Sequence, residues 1–136
     1  ALEGALLDAQ FRALRAVAPK PAGAEVVILG IDEATLDATP EPLALWHRPL
    51  ARLFEGLRLA GPRAVGLDVQ LPDRSYDALR PGIDRELFAA LRAAAQSFPL
   101  AVALGIDAGG APRAIHPPFV AAVGDGGLGV ATSLLD

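Results

Sequence analysis

Three aspartates, Asp32, Asp68 and Asp107, each follow a run of apolar residues that is predicted to form a buried strand. Parallel strands end at a common edge of their sheet, and open α/β domains bind ligands at that edge. If these strands are neighbours, the three carboxylates converge and offer the oxygen ligands that Mg²⁺ or Ca²⁺ prefers. A metal-dependent phosphatase or hydrolase is therefore one candidate function. The alternative is that each acid only begins a loop or caps the next element.

Two phosphotransfer patterns that use such acids do not fit. Phosphatases related to haloacid dehalogenases need a second acid two residues after the nucleophile, but Ala34 stands there after Asp32. Response-regulator receivers need a lysine after a late strand, whereas the only lysine, Lys20, precedes the first predicted strand. Gly30 stands alone, without the further glycines of a dinucleotide-binding loop, and no Walker sequence is present. We therefore expect no cofactor.

Histidine, serine and tryptophan give weaker signals. His47 and His116 are the only histidines, and neither has a second metal-type residue at ligand spacing, so we expect them to face solvent or to hydrogen-bond locally. No serine lies in a nucleophile elbow. Trp46 precedes a predicted helix; it either packs in the core, which we favour, or lines a pocket in which Arg48 holds a carboxylate.

Composition limits the remaining possibilities. With 136 residues, of which 52% are hydrophobic and 21% charged, the chain is predicted to be one compact domain over residues 1–136. A formal net charge of -4 provides no basic surface, so nucleic acid is not an expected partner. The absence of cysteine excludes disulfides and thiolate catalysis. No apolar run approaches the roughly 18 residues of a membrane-spanning helix.

The spacing of apolar residues predicts the elements that would position these groups. An amphipathic helix is predicted over residues 2–18, followed by an α/β core over 25–136 organised around a buried central strand at 26–32. Further strands are predicted at 64–69, 100–106 and 128–134, and helices at 49–60, 84–97 and 117–123. Asp84 is expected to cap the second of these helices. Such alternation is typical of a mostly parallel β-sheet covered by helices, a three-layer α/β fold.

Several local motifs follow one another along nearly the whole chain. They are FRALR at 11–15, VVILGIDE at 26–33 with Thr35 and Leu36, the sequence Trp46-His47-Arg48, RAVGLDVQL at 63–71, and Asp84 with Leu87. Their order resembles a known family, the type-two CHASE domain, which is an extracellular sensory domain associated with cyclases and histidine kinases. His47 stands where the family usually has proline. Members usually continue through an Asp-Gly turn after the position of Asp136, so the domain is expected to be incomplete at its C-terminus.

The resemblance implies an extracytoplasmic input module, periplasmic or on the cell surface, without catalysis of its own. A transmembrane helix upstream and further membrane helices downstream would connect it to a cytoplasmic histidine kinase of a two-component system, a Ser/Thr kinase or a nucleotide cyclase such as adenylate cyclase. We expect a small-molecule or protein signal to bind at the motif positions Asp32, Glu33, Trp46, Arg48 and Asp68. The rival from the residues alone is the hydrolase described above. A scaffold that only dimerises its parent is a third interpretation, and a homodimer is left open.

Overall fold

The computed structural model describes residues 12–13, 16–17 and 25–130, apart from the side chain of Asp125. Contacts within the chain define two compact units, Ala1–Thr39 and Pro40–Asp136. The second unit contains a parallel three-stranded sheet with helices around it, so the predicted helix-covered α/β fold is confirmed.

In the first unit the structure describes a short helix, α1, over its full length at Glu33–Ala38. Asp32 begins this helix, because its Oδ1 accepts hydrogen bonds from the backbone N–H of Thr35 at 2.9 Å and from the Thr35 hydroxyl at 2.7 Å. Residues 12–13 and 16–17 are helical, in agreement with the helix predicted at 2–18, whose other residues lie outside the described part.

Residues 26–32 do not form the central strand that the sequence predicted. These residues have no strand partner within the described part of the chain, and their large apolar side chains are exposed, from 40% for Ile31 to 87% for Ile28. The prediction of a buried central strand is therefore wrong for this segment. A strand needs hydrogen-bonded neighbours and a covering layer, which apolar composition alone does not supply. The segment instead presents an apolar surface.

The sheet of the second unit has the strand order β1-β2-β3, with β1 at Val65–Leu67, β2 at Leu100–Leu104 and β3 at Leu128–Val130. Both pairings are parallel. The strands are shorter than predicted, and residues 131–134 of the last prediction lie outside the described part. After β2 an isolated antiparallel bridge joins Ile106 and Pro112. Parallel pairing places the carboxyl ends of all three strands at one edge.

Three helices accompany this sheet: α2 at His47–Ala60, α3 at Ile83–Ser97 and α4 at Pro117–Val123. A short 3₁₀ helix at Leu43–Leu45 precedes α2, and another at Asp125–Gly127 precedes β3. Phe54 of α2 and Leu87 and Leu91 of α3 are fully buried in one hydrophobic core with Phe119 of α4. Burying each of these large side chains stabilises the fold by about 1.5–3 kcal/mol.

The two glycines of α2 provide a matched test of these helix boundaries. Gly61 ends the helix with φ 63°, and its N–H bonds to the carbonyl of Leu57, whereas Gly56 lies inside the helix. An added Cβ would meet no atom within 4 Å at either position. Backbone conformation alone therefore separates the two sites.

We expect Gly61→Ala to lower the free energy of unfolding by about 1 kcal/mol, because a left-handed residue with a Cβ is strained. Gly56→Ala should raise it by a similar amount, about 1 kcal/mol, because alanine favours the helix interior. Urea denaturation of the two variants measures both changes. Changes of the same sign would contradict the assigned end of α2.

Candidate functional site

The carboxyl edge of the sheet is organised around the N-terminus of α3. The sequence predicted that Asp84 caps this helix, but the cap is Gly82, with φ 81° and no side chain, and Asp84 lies inside the first turn. Asp77, in the loop after β1, supplies the missing acceptor, since its Oδ1 receives the N–H of Asp84 at 3.0 Å. The side chain of Asp84 is thereby free to bond elsewhere, at a helix end that favours negative charge.

The carboxylate of Asp84 is buried and receives several hydrogen bonds. The hydroxyl of Ser75 donates to Oδ2, and the backbone N–H of Tyr76 lies 3.2 Å from both oxygens. Burial alone raises the pKa of Asp84, but the bonds from Ser75 and Tyr76, together with the nearby His47 and His116, lower it below the ordinary value. Asp84 is therefore ionised at neutral pH.

His47 is the first residue of α2 and is fully buried, with 0% of its surface exposed. Its Nε2 lies 3.1 Å from Oδ1 of Asp84, yet neither ring nitrogen has the geometry of a hydrogen bond. Tyr76 and Phe119 contact the ring edge-on, each with a centroid distance of 5.8 Å. Burial lowers the pKa of His47, and the opposing effect of Asp84 offsets only part of that shift.

His116 reaches the same carboxylate from the residue before α4. Its Nε2 lies 4.0 Å from Oδ2 of Asp84, and its side chain is 20% exposed. The N–H of His116 donates to the carbonyl of Pro72 at 2.7 Å, which ties this turn to the loop after β1. Gln70 strengthens the connection between the loops by accepting the N–H of Gly105 at 2.8 Å. Histidines from the starts of two other helices therefore approach the carboxylate of Asp84.

The geometry does not support nucleophilic catalysis at this cluster. In a Ser-His-Asp triad the histidine lies between the serine and the acid and takes the serine proton. Here Ser75 donates to Asp84 directly, so Asp84 lies between Ser75 and His47. The ionised Asp84 is also a poor general acid near neutral pH. What the cluster can do is exchange protons at its histidines.

The expectation for the histidines requires a correction. His47 was expected to face solvent or to hydrogen-bond locally, but it is buried without a hydrogen bond. The residues of the cluster lie far apart along the chain, so inspection of ligand spacing could not associate them. The available signal was the placement of each at or next to a helix start, because helices between parallel strands begin at one edge of the sheet.

Trp46 and Arg48, the two predicted site residues beside His47, have local partners. Trp46 is buried, with 3% of its surface exposed, and its Nε1 donates to the carbonyl of Glu41 at 2.7 Å. The core role favoured for this residue is thus what the structure shows. Arg48 forms a bidentate pair with Glu86 of α3, with Nε 2.9 Å and Nη2 3.2 Å from its oxygens. The carboxylate that Arg48 holds belongs to the protein itself.

The strand-end acids occupy separate local environments. Asp32 caps α1 and Glu33 is its first residue, both in the first unit, while Asp68 and Asp107 are exposed residues of the second unit. Asp107 orders its own loop, because Oδ1 accepts the N–H groups of Gly109 and Ala111. Among the described residues no group of three or more acids or histidines is arranged to hold a metal ion. A signal-binding role for Asp32, Glu33, Trp46, Arg48 and Asp68 stays a prediction.

An open groove of about 600 Å³ lies between α2 and α3, apart from the buried cluster. Four alanines form its apolar part, and its charged lining includes Arg48, Arg52, Arg58, Glu55 and Glu86. Two of the arginines already have partners, because Arg48 binds Glu86 and Arg58 donates to the hydroxyl of Ser97 at 3.1 Å. The groove is a charged surface cleft with internal pairs.

Comparison with known proteins complements this geometry. The family model of the CHASE2 domain matches residues 1–136, which confirms the resemblance drawn from the sequence motifs. No curated protein and no solved structure matches the chain. Among the helices that the structure describes, none combines the length and apolar character that crossing a membrane requires.

The buried cluster and the exposed Arg48–Glu86 pair predict different costs for neutralising an acid on α3. We expect Asp84→Asn to lower the free energy of unfolding by about 2 kcal/mol, because buried donors lose their charged acceptor. Glu86→Gln, two positions along the same helix, should have a much smaller effect because water screens the exposed pair. Urea denaturation at pH 7 compares the two. Equal losses would show that Asp84 has no special structural role.

Proposed function

This chain belongs to the CHASE2 domain family, whose members are extracellular sensory domains, and we propose that it is the signal-sensing input domain of a membrane-anchored bacterial receptor. The observation that carries the proposal is the family match over residues 1–136. The geometry agrees with this proposal, because the buried cluster lacks the arrangement for nucleophilic catalysis and contains histidine, whose charge is sensitive to its surroundings near neutral pH.

The proposal extends to the rest of the receptor. Transmembrane helices of the parent protein would connect this domain to a cytoplasmic histidine kinase, Ser/Thr kinase or nucleotide cyclase. A signal can change the output only if it binds two states of the domain with different affinity. The N-terminal helix that the sequence predicts over residues 2–18 would transmit such a change toward the membrane. The domain itself would perform no catalysis.

Association with another chain belongs to the same proposal. The exposed apolar side chains of residues 26–31 form a run of a kind that often marks a protein–protein contact. A homodimer of the receptor would provide such a partner. Sedimentation of the receptor at several concentrations would show whether it forms.

The location of the domain can be tested with cysteine labelling, because the chain contains no cysteine. We expect Leu59→Cys, at a residue that is 92% exposed, to react with a small membrane-impermeant maleimide in intact cells. The parent receptor would first have its other cysteines replaced. Ala94→Cys is the matched control, because Ala94 is fully buried and should react only after denaturation. Labelling of Leu59→Cys only after lysis would contradict an extracytoplasmic location.

A further inference from the structure

We propose that the signal sensed by this domain is acidification of the medium outside the cell, and that His47, Asp84 and His116 form the responding cluster. The inference rests on the proposed sensing function and names the signal for it. The cluster joins the first residue of α2, the first turn of α3 and the residue before α4. A change in its protonation therefore acts on three helices at once.

We call the arrangement seen in the structure the closed state. It favours a neutral His47 ring. The ring is fully buried between the aromatic edges of Tyr76 and Phe119, and neither nitrogen has a hydrogen bond. An imidazolium would carry two buried N–H groups, and the groups near enough to accept them include Asp84 and the backbone carbonyl of Leu45. Neither ring nitrogen has hydrogen-bond geometry in the closed domain, so a charged ring is unfavourable there. The positive end of α2 also disfavours a cation at its first residue.

The groups that face His47 determine the sign of the response. The carboxylates of Asp84 from α3 and Asp77 from the loop after β1 favour protonation, as does the backbone carbonyl of Leu45, while burial opposes it. Tyr76 makes a T-shaped contact with the ring, and His116 faces the far oxygen of Asp84. Burial is the larger effect, so the pKa of His47 is lowered in the closed domain. The closed state thus binds this proton less readily than an open state does.

Linkage converts this difference into a shift of population. In an open state His47 contacts water and has the ordinary imidazole pKa of about 6.5. As the pH falls below that value, His47 becomes protonated in the open state but stays neutral in the closed state, where its pKa is lower. Proton binding therefore moves the equilibrium toward the open state. Asp84, whose pKa is lowered, loses its stabilising charge only as the pH falls below about 3.9. The response near pH 6 therefore comes from histidine.

The neighbouring contacts define what opens. The loop after β1 is held by the bonds of Ser75 and Tyr76 to Asp84, and by the bond from the N–H of His116 to Pro72. Outward movement of His47 would displace the start of α2. Trp46, the only tryptophan, is buried directly before it and reports such movement by fluorescence.

The first test follows Trp46 emission of the chain from pH 8 to pH 5. We expect a shift to longer wavelength below about pH 6.5, with the far-UV circular dichroism unchanged, because the opening is local. Emission that stays constant over this range would overturn the proposal. Loss of far-UV circular dichroism together with the shift would also overturn it, because global acid unfolding would then explain the result.

Variants assign the response to His47. His116→Gln keeps His47 and should retain the Trp46 transition. The double variant His47→Gln with His116→Gln contains no histidine and should show no transition between pH 7 and pH 5. A transition that persists in the double variant would overturn the proposal. If the double variant does not fold, loss of the transition in His116→Gln would overturn the assignment to His47.

A measurement on the full-length receptor distinguishes failure of acid sensing from failure of the proposed sensory function. Output is measured in cells whose cytoplasmic pH is held constant while the external pH is lowered from 7.5 to 5.5. We expect output to change with a midpoint near the Trp46 transition, and to lose that dependence in the double variant. If Leu59→Cys is labelled in intact cells but the output does not change with external pH, acid sensing is overturned and the extracytoplasmic location stands. If Leu59→Cys is labelled only after lysis, the extracytoplasmic location of the proposed sensor is overturned as well.

Discussion

The carboxylate of Asp84 is the group on which the carboxyl edge of the second unit depends. A buried charge is stable only when polar partners surround it. Ser75 and the backbone of Tyr76 provide those partners, while His47 and His116 approach the same two oxygens. These partners belong to one loop and to two other helix starts, so one charge connects a loop and the starts of three helices. The cost of this order is an imidazole that is buried without a hydrogen bond.

This arrangement follows from the topology of a parallel sheet. Every helix between parallel strands begins at the edge where the preceding strand ends, so helix starts and loop residues meet there without proximity in sequence. The domain uses that edge for its own Asp84, where many α/β proteins bind an external anion at a helix start. A sensory domain built in this way can respond to protons through its own side chains. Its response then needs no separate binding cavity.

The sequence predicted the local elements better than the cluster. Apolar spacing identified the inward faces of α2 and α3 through Phe54, Leu87 and Leu91, because helix periodicity depends on near neighbours. It failed at residues 26–32, where an apolar run lacks the strand partners that burial requires. Apolar spacing also gave no indication that His47 contacts Asp84, because that contact depends on how the helices pack. The family, in contrast, was predictable, since its motifs are local.

Titration of the His47 imidazole by NMR tests the central claim most directly. The chain has two histidines, so the spectrum of His116→Gln contains a single imidazole and assigns the signals. A domain that excludes water and hydrogen-bond partners from His47 keeps this ring neutral at pH values below its ordinary pKa of about 6.5. The account predicts that lowered pKa, with protonation accompanied by movement of Trp46. A His47 pKa at or above the ordinary value would contradict it.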